Sequence, residues 1–264
     1  MAKTTTVASL GAALSEMGRK VLLVDLDPQA CLTFSVGLDP EVLDVSVHDV
    51  LLGRVSAGMA ITRSDEGPDV LPANIDLAGC EVVLLTKTGR EYALRSALED
   101  LIASNGSAYD DIIIDCPPSL GVLTINALTA AHEVLVPMQC ETLSYRGVGQ
   151  LLDTINDIQR LTNRGLAVLG VLPTIYDGRS KHARTVLSDV SQRYGLQALE
   201  PPIPKSIRFA EAPAAGRSVL NVSNAQKGAD AYREVARLIL QERAERAAPL
   251  PDQRRGIAQW VGRR

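Results

Sequence analysis

Residues 19–29 read RKVLLVDLDPQ, four consecutive apolar residues that run into two acids and a proline. An unbroken Val/Leu run without polar alternation is the pattern of a strand buried on both faces, as in a parallel sheet covered by helices. In such sheets ligands gather beyond the carboxyl ends of the strands, so Asp25 and Asp27 are candidate site residues by position alone. Residues 110–119, DDIIIDCPPS, repeat the arrangement and add Asp115. One acid at a strand end is ordinarily a cap or a turn residue. Two such ends in one chain, with a third feature at the N-terminus, point to a shared site.

Further apolar runs at 69–71, 134–136 and 168–172 join those at 21–24 and 112–114 as predicted strands. Helical stretches are predicted at 3–17, 91–103, 122–131, 147–161, 181–194 and 226–246. This alternation predicts an α/β chain with a doubly wound, mainly parallel sheet and helices on both faces. No repeat or Ser/Gly linker divides it, so residues 1–246 are expected to form one domain. Residues 247–264, AAPLPDQRRGIAQWVGRR, change composition and are expected to form a mobile basic tail.

The third feature is KTTT at residues 3–6. Lys-Thr at the start of a helix is the second half of a phosphate loop: the ammonium reaches the β- and γ-phosphates, the hydroxyl ligates Mg²⁺ and the helix N-terminus attracts anion. The pair alone carries no information. With a strand ending in DLDPQ about twenty residues on and another ending in DCPP, it becomes specific.

Composition narrows the function classes. The chain has 264 residues and is 46% hydrophobic, too apolar for disorder and large enough for a real core. Its four cysteines lie far apart with no C-x-x-C pair, which points away from disulfide frameworks and zinc or iron–sulfur sites and toward a reducing cytoplasm. His48, His132 and His182 show no metal spacing, and Cys116 beside Asp115 reads as a small buried side chain. Nine aromatic residues are too few for base-stacking platforms. No apolar run approaches the length of a membrane span. The net charge of −4 conceals an asymmetry: residues 1–140 carry 8 Lys and Arg against 19 Asp and Glu, whereas residues 141–264 carry 19 against 12.

Taken in order, KTTTVASLGAAL, RKVLLVDLDPQ, VLPANIDLAG, DDIIIDCPPSLGVLTINAL, EVLVPMQCETLSYRGVGQLL, VLPTIYDGRS and IPKSIRFAEAPAAGRSV resemble the ParA/Soj/MinD family of deviant Walker A ATPases. The likeness is closest to the ParA/Soj branch and covers nearly the whole chain. It implies a P-loop NTPase fold with ATP and Mg²⁺ as cofactors. In this likeness Lys3 is the phosphate-loop lysine, Thr4 the Mg²⁺-ligating hydroxyl, and Thr5 a contact to the α-phosphate. Asp27 would orient the attacking water, while Asp25 and Asp115 would hold Mg²⁺ through its water shell. Pro204 and Ser206 match the adenine-covering segment; the family has Asn where Ser206 stands, and a hydroxyl replaces an amide's separate donor and acceptor.

The chain departs from the family at its start. The family loop is K-G-G-x-x-K-T after a central strand, and here only Met1 and Ala2 precede Lys3. The first strand is therefore expected to be absent from this chain. A start codon placed inside the loop, at a GTG read as Met, is the expected cause; a degenerate paralogue that does not hydrolyse ATP is the rival.

The resemblance also implies an ATP-dependent homodimer, a ParB-like partner, nucleoid association and sequence-independent DNA binding, which rests on Lys and Arg neutralising phosphates. The candidate DNA contacts are Arg179, Lys181, Arg184, Lys205, Arg208 and Arg217. A MinD-like membrane switch is the alternative, drawn from Ile257, Trp260 and Val261 beside four tail arginines, but the apolar face is short and stable membrane insertion is not expected. An amidoligase of the same superfamily, such as a cobyrinic acid or dethiobiotin type, is the remaining rival; LSYRGVGQLL and AEAP count against it.

Overall fold

Val21, Leu22, Leu23 and Val24 are all buried, and alternate residues go to opposite layers of the molecule. Val21 and Leu23 join a core with the first and last helices. Leu22 and Val24 join a second core with Leu26, Ala30 and residues drawn from 45–130. The unbroken apolar run is thus the direct consequence of covering both faces of one strand.

The computed structural model describes residues 2–63, 67–105, 109–141, 144–206, 209, 211–212, 216, 218–222 and 225–247. In chain order the elements are α1 (Ala2–Glu16), β1 (Val21–Asp25), α2 (Cys31–Ser35), α3 (Val47–Leu51), α4 (Ala57–Ala60), β2 (Thr62–Arg63), β3 (Asp69–Leu71), α5 (Leu77–Leu85), α6 (Ala93–Asn105) and β4 (Asp111–Asp115). They continue with α7 (Val122–Ala130), β5 (Glu133–Gln139), α8 (Ser144–Leu161), β6 (Ala167–Thr174), α9 (Lys181–Tyr194) and α10 (Gln226–Ala247). Every predicted strand and helix is present. The short helices α2, α3 and α4, the apolar helix α5 and the two-residue strand β2 were not anticipated.

The sheet comes in two pieces. β2-β3-β1-β4 form one, parallel except for the β2–β3 pair, and β5-β6 form a second, parallel pair. Among the described residues β4 bonds β1 along one edge only, and its three isoleucines, Ile112 to Ile114, are half-buried where the β1 residues beside them are fully covered. Helix α1 packs against β1, β4 and β5 and so spans both pieces. It can lie close because position 11 is glycine: a Cβ there would stand 2.6 Å from Leu23 Cδ2.

At the opposite end from the carboxyl ends of the strands, charge also spans the pieces. Asp111, at the start of β4, pairs with Arg19 and Arg243, while Glu133, at the start of β5, pairs with Arg243 and Arg246. Arg243 of α10 therefore holds an acid from each sheet, at 2.6 Å from Asp111 and 2.7 Å from Glu133.

Candidate nucleotide site

Parallel register sets Asp25 directly beside Asp115 at the carboxyl ends of β1 and β4. Two buried acids on neighbouring strands need partners, and only one of them has any. Asp25 Oδ1 accepts from the Asp27 amide at 3.0 Å. Asp25 Oδ2 accepts from the Thr33 amide at 2.9 Å and from the Thr33 hydroxyl at 2.8 Å. The same hydroxyl accepts from the Ala73 amide at 2.9 Å, tying the acid to the chain beyond β3. Burial still raises the Asp25 pKa above the ordinary carboxylate value, with the three hydrogen bonds opposing.

Asp115 is 1% exposed, and among the described residues neither carboxylate oxygen has a hydrogen-bond partner. Burial pushes its pKa up to about 7. The Thr4 hydroxyl, close by but outside hydrogen-bond geometry, opposes this, as does the Lys3 ammonium, while Asp25 and Asp27 add to it. A fully buried carboxylate without a hydrogen-bond partner is a costly arrangement.

Lys3, Thr4 and Thr5 occupy the first turn of α1, where free backbone N–H groups and the helix dipole favour an anion. The Lys3 ammonium donates to the Pro117 carbonyl at 2.9 Å, and so lies over the loop that follows Asp115. That loop is also fixed from the other side, where the Leu26 amide donates to the Asp115 carbonyl at 2.9 Å. Asp27 is half-buried; one of its oxygens accepts from the Gln29 amide at 3.0 Å. Ala30, next after this turn, holds a left-handed φ of 50°, which is unusual for a residue with a Cβ. Cys116 is half-buried, a correction to its expected burial.

The structure therefore brings Lys3, Thr4, Asp25, Asp27 and Asp115 together. Pro204 and Ser206 lie elsewhere along the same rim: Pro204 forms a bridge with Tyr176, just beyond β6. Thr33 and the Pro117 carbonyl were not anticipated. A threonine eight residues after a strand-end acid carries no recognisable signal, and a carbonyl carries none at all.

Among the described residues no three His, Cys, Asp or Glu side chains converge as a metal-ligating group. This donor set fits Mg²⁺, which keeps several waters and takes only one or two carboxylates alongside phosphate oxygens, and Asp115 is the acid with unengaged oxygens.

Of the DNA candidates, Arg179, Lys181, Arg184 and Lys205 are exposed near the turn before α9. Arg179 pairs with Asp177 at 3.2 Å, Arg184 donates to the Gly178 carbonyl, and the Lys205 amide donates to the Tyr176 carbonyl at 3.4 Å. Hydrogen bonds from the Arg179 backbone and side chain hold the Asp177 carboxyl below its ordinary pKa, with Lys205 adding to this. Arg208, Arg217 and the tail from residue 248 lie outside the described residues. No helix among the described residues is long and apolar enough to cross a membrane.

The family described as AAA domain matches residues 1–168. The chain is 39% identical over 247 residues to the chromosome partitioning protein ParA of Caulobacter vibrioides, covering 93% of this chain and 92% of that one. It is 39% identical over 236 residues to the sporulation initiation inhibitor protein Soj of Bacillus subtilis, covering 89% and 92%. Among solved structures, a Mycobacterium smegmatis protein described as cobyrinic acid a,c-diamide synthase, with bound ATP analogue and magnesium, is 58% identical, covers 92% of this chain and 91% of its own, and superimposes with a TM-score of 0.81.

Proposed function

The chain belongs to the AAA-domain family of ParA and Soj, and from that membership we propose that it is an ATPase that binds ATP with Mg²⁺, dimerises on ATP and holds DNA without sequence preference to partition chromosomes or plasmids. The observation that carries the reading is the unpartnered carboxylate of Asp115, buried beside Lys3 and Thr4 at the α1 N-terminus.

The site's residues divide the work of phosphoryl transfer, which depends on charge neutralisation and a positioned nucleophile. Lys3 and the first turn of α1 balance phosphate charge. The Thr4 hydroxyl and Asp115 would hold Mg²⁺, which when bound neutralises charge on the phosphate oxygens; Asp25, tied down by Thr33, keeps the β1 end and the Asp27 turn in place. Asp27 keeps one oxygen unengaged by the Gln29 amide and accepts a proton or a hydrogen bond from water. Pro204 and Ser206 would cover the base. The basic turn around Arg179, Lys181, Arg184 and Lys205, with Arg208 and Arg217, would contact DNA phosphates, giving a nucleoid-associated protein that answers to a ParB-like partner.

The test is equilibrium ATP binding with and without Mg²⁺, followed by light scattering and DNA co-sedimentation over a salt series. ATP-dependent dimers whose DNA retention falls steeply with salt support the reading; a chain that takes no ATP refutes it. The name of the 58% identical neighbour favours a second reading, a synthase acting on cobyrinic acid. ATP turnover that rises with cobyrinic acid and ignores DNA would select it.

A further inference from the structure

Each piece of the sheet has one edge that no described residue pairs, and the two open edges border the same slot. Among the described residues β4 bonds only β1 and β5 bonds only β6, whereas the far edge of β6 is closed by Gln197 and Leu199, which bond Val171. Both helix layers run across the break. On one face Ile113 of β4 and Leu135 of β5 pack against the core that contains α1. On the other, Ile112 and Ile114 pack with Leu123 and Ala127 of α7, and Val134 of β5 packs with Leu128 of the same helix. The slot therefore has β4 and β5 as its walls and α1 and α7 above and below. It has not collapsed, since Ile112 to Ile114, Val134 and Leu135 stay half-buried between two layers of helix. Two rows of backbone N–H and C=O groups facing such a slot are a template for one more strand.

The direction of that strand is fixed. Asp111 and Glu133, the first residues of β4 and β5, are held by the same guanidinium, so the two walls start at one end and run parallel. A strand that bonds both in parallel must enter at that end. The chain is delivered there: Arg243 and Arg246 dock α10 on Asp111 and Glu133, and the helix ends at Ala247, one residue later. Residues 248–264 follow. Pro249 and Pro251 cannot serve a central strand, and Asp252, Arg254 and Arg255 are charged, which leaves residues 257–261, IAQWV, matching the five residues of β4. Residues 248–256 reach up to roughly 30 Å when extended, ample for a turn into the slot.

We propose that residues 257–261 lie in this slot as a parallel strand between β4 and β5, joining the two pieces into one sheet. Alternation puts Ile257, Gln259 and Val261 on one face and Ala258 and Trp260 on the other, apolar side chains on both, as a covered parallel strand requires. The one amide of the run has a chemical match in the α1 layer. Ser9 of α1 is 1% exposed, and its hydroxyl has no hydrogen-bond partner among the described residues. Gly262, Arg263 and Arg264 would emerge at the carboxyl rim. This placement is independent of whether the chain binds ATP.

Trp260 is the only tryptophan of the chain, so its fluorescence reports the tail directly. In the full-length protein without nucleotide, Trp260 emission should be blue-shifted and quenched by acrylamide several-fold less than in urea, unchanged on dilution. Gln259→Pro removes a ladder N–H and should bring quenching close to the unfolded level, with far-UV circular dichroism retained, whereas Gln259→Val should keep Trp260 protected. Amide hydrogen exchange gives the second readout: in Q259P amides of β4 and β5 should exchange at least about tenfold faster, with α9 unchanged. Trp260 quenched in the native protein as it is in urea overturns the proposal. So does a protected Trp260 with β4 and β5 exchange unaltered by Q259P, which is a tail resting on another surface. Protection that fades on dilution also overturns it, the occupant then being the tail of a second copy.

Discussion

Replacing Asp115 by Asn removes a buried charge and changes little else in shape, so it isolates what that charge costs. A carboxyl moved from its ordinary 3.8 to about 7 destabilises the ionised folded state by about 4 kcal/mol, at about 1.4 kcal/mol for each pH unit. The sign follows from proton counting. Between about pH 4 and pH 7 the folded protein holds a proton on Asp115 that the unfolded chain has released, so stability falls as pH rises through this window and is flat in this respect above it. The Asn amide is itself without a partner there and takes back about 1–2 kcal/mol. D115N should therefore be about 2–3 kcal/mol more stable than the parent near pH 8 in metal-free buffer, raising Tm by roughly 4–10 °C for a chain of this size. Near pH 4 the variant should have no advantage. Urea melts across this pH range in EDTA provide the assay, and ATP titration with Mg²⁺ should show the opposite effect, weaker binding in the more stable variant. A D115N protein that is less stable near pH 8, or that keeps the parent's pH slope, would refute the argument that Asp115 is an uncompensated buried acid.

Three other substitutions test neighbouring parts of the structure. Thr33→Val removes the hydroxyl that donates to Asp25 and accepts from the Ala73 amide, both fully buried, and should cost about 2–4 kcal/mol in urea unfolding. Lys3→Met breaks one half-buried bond to the Pro117 carbonyl; it should lower ATP affinity at least tenfold while changing stability by less than about 1 kcal/mol, as read by titration and thermal melting. Arg243→Met disconnects Asp111 from Glu133 across the two sheets and should cost about 1–2 kcal/mol, discounted for the half-exposed guanidinium and shrinking in high salt because Arg19 and Arg246 remain.

The five parallel strands were legible because burial on both faces leaves only one kind of sequence, and the acids were legible because they stand where such strands end. The helices α3 and α4 were not: at five and four residues they are too short for a hydrophobic period to emerge. Thr33 and the Pro117 carbonyl escaped for a different reason. Their roles exist only once β1, β3 and β4 lie side by side, and nothing local to either residue records that arrangement. The basic half shows both limits at once. Its charge excess can be counted along the chain, yet Arg179 is paired with Asp177, so the count overstates the charge open to a phosphate at that turn.

The contrast between Asp25 and Asp115 gives the functional reading its physical weight. The two occupy equivalent register positions on adjacent strands, and both are buried. If the acids served only the fold, the same pressure would act on each, and each would be satisfied by the chain. Asp25 is, through Asp27 and Thr33, and those bonds offset part of its burial. Asp115 is not, and the nearness of Asp25 raises its pKa further. A pair of like charges with one member left unsatisfied is unstable unless positive charge joins it, and the Lys3 ammonium is directed to the Pro117 carbonyl at 2.9 Å instead. The fold therefore keeps Asp115 unengaged at a cost it could have avoided by substitution to Asn, and that cost is intelligible when a cation and the anion it accompanies are the missing partners.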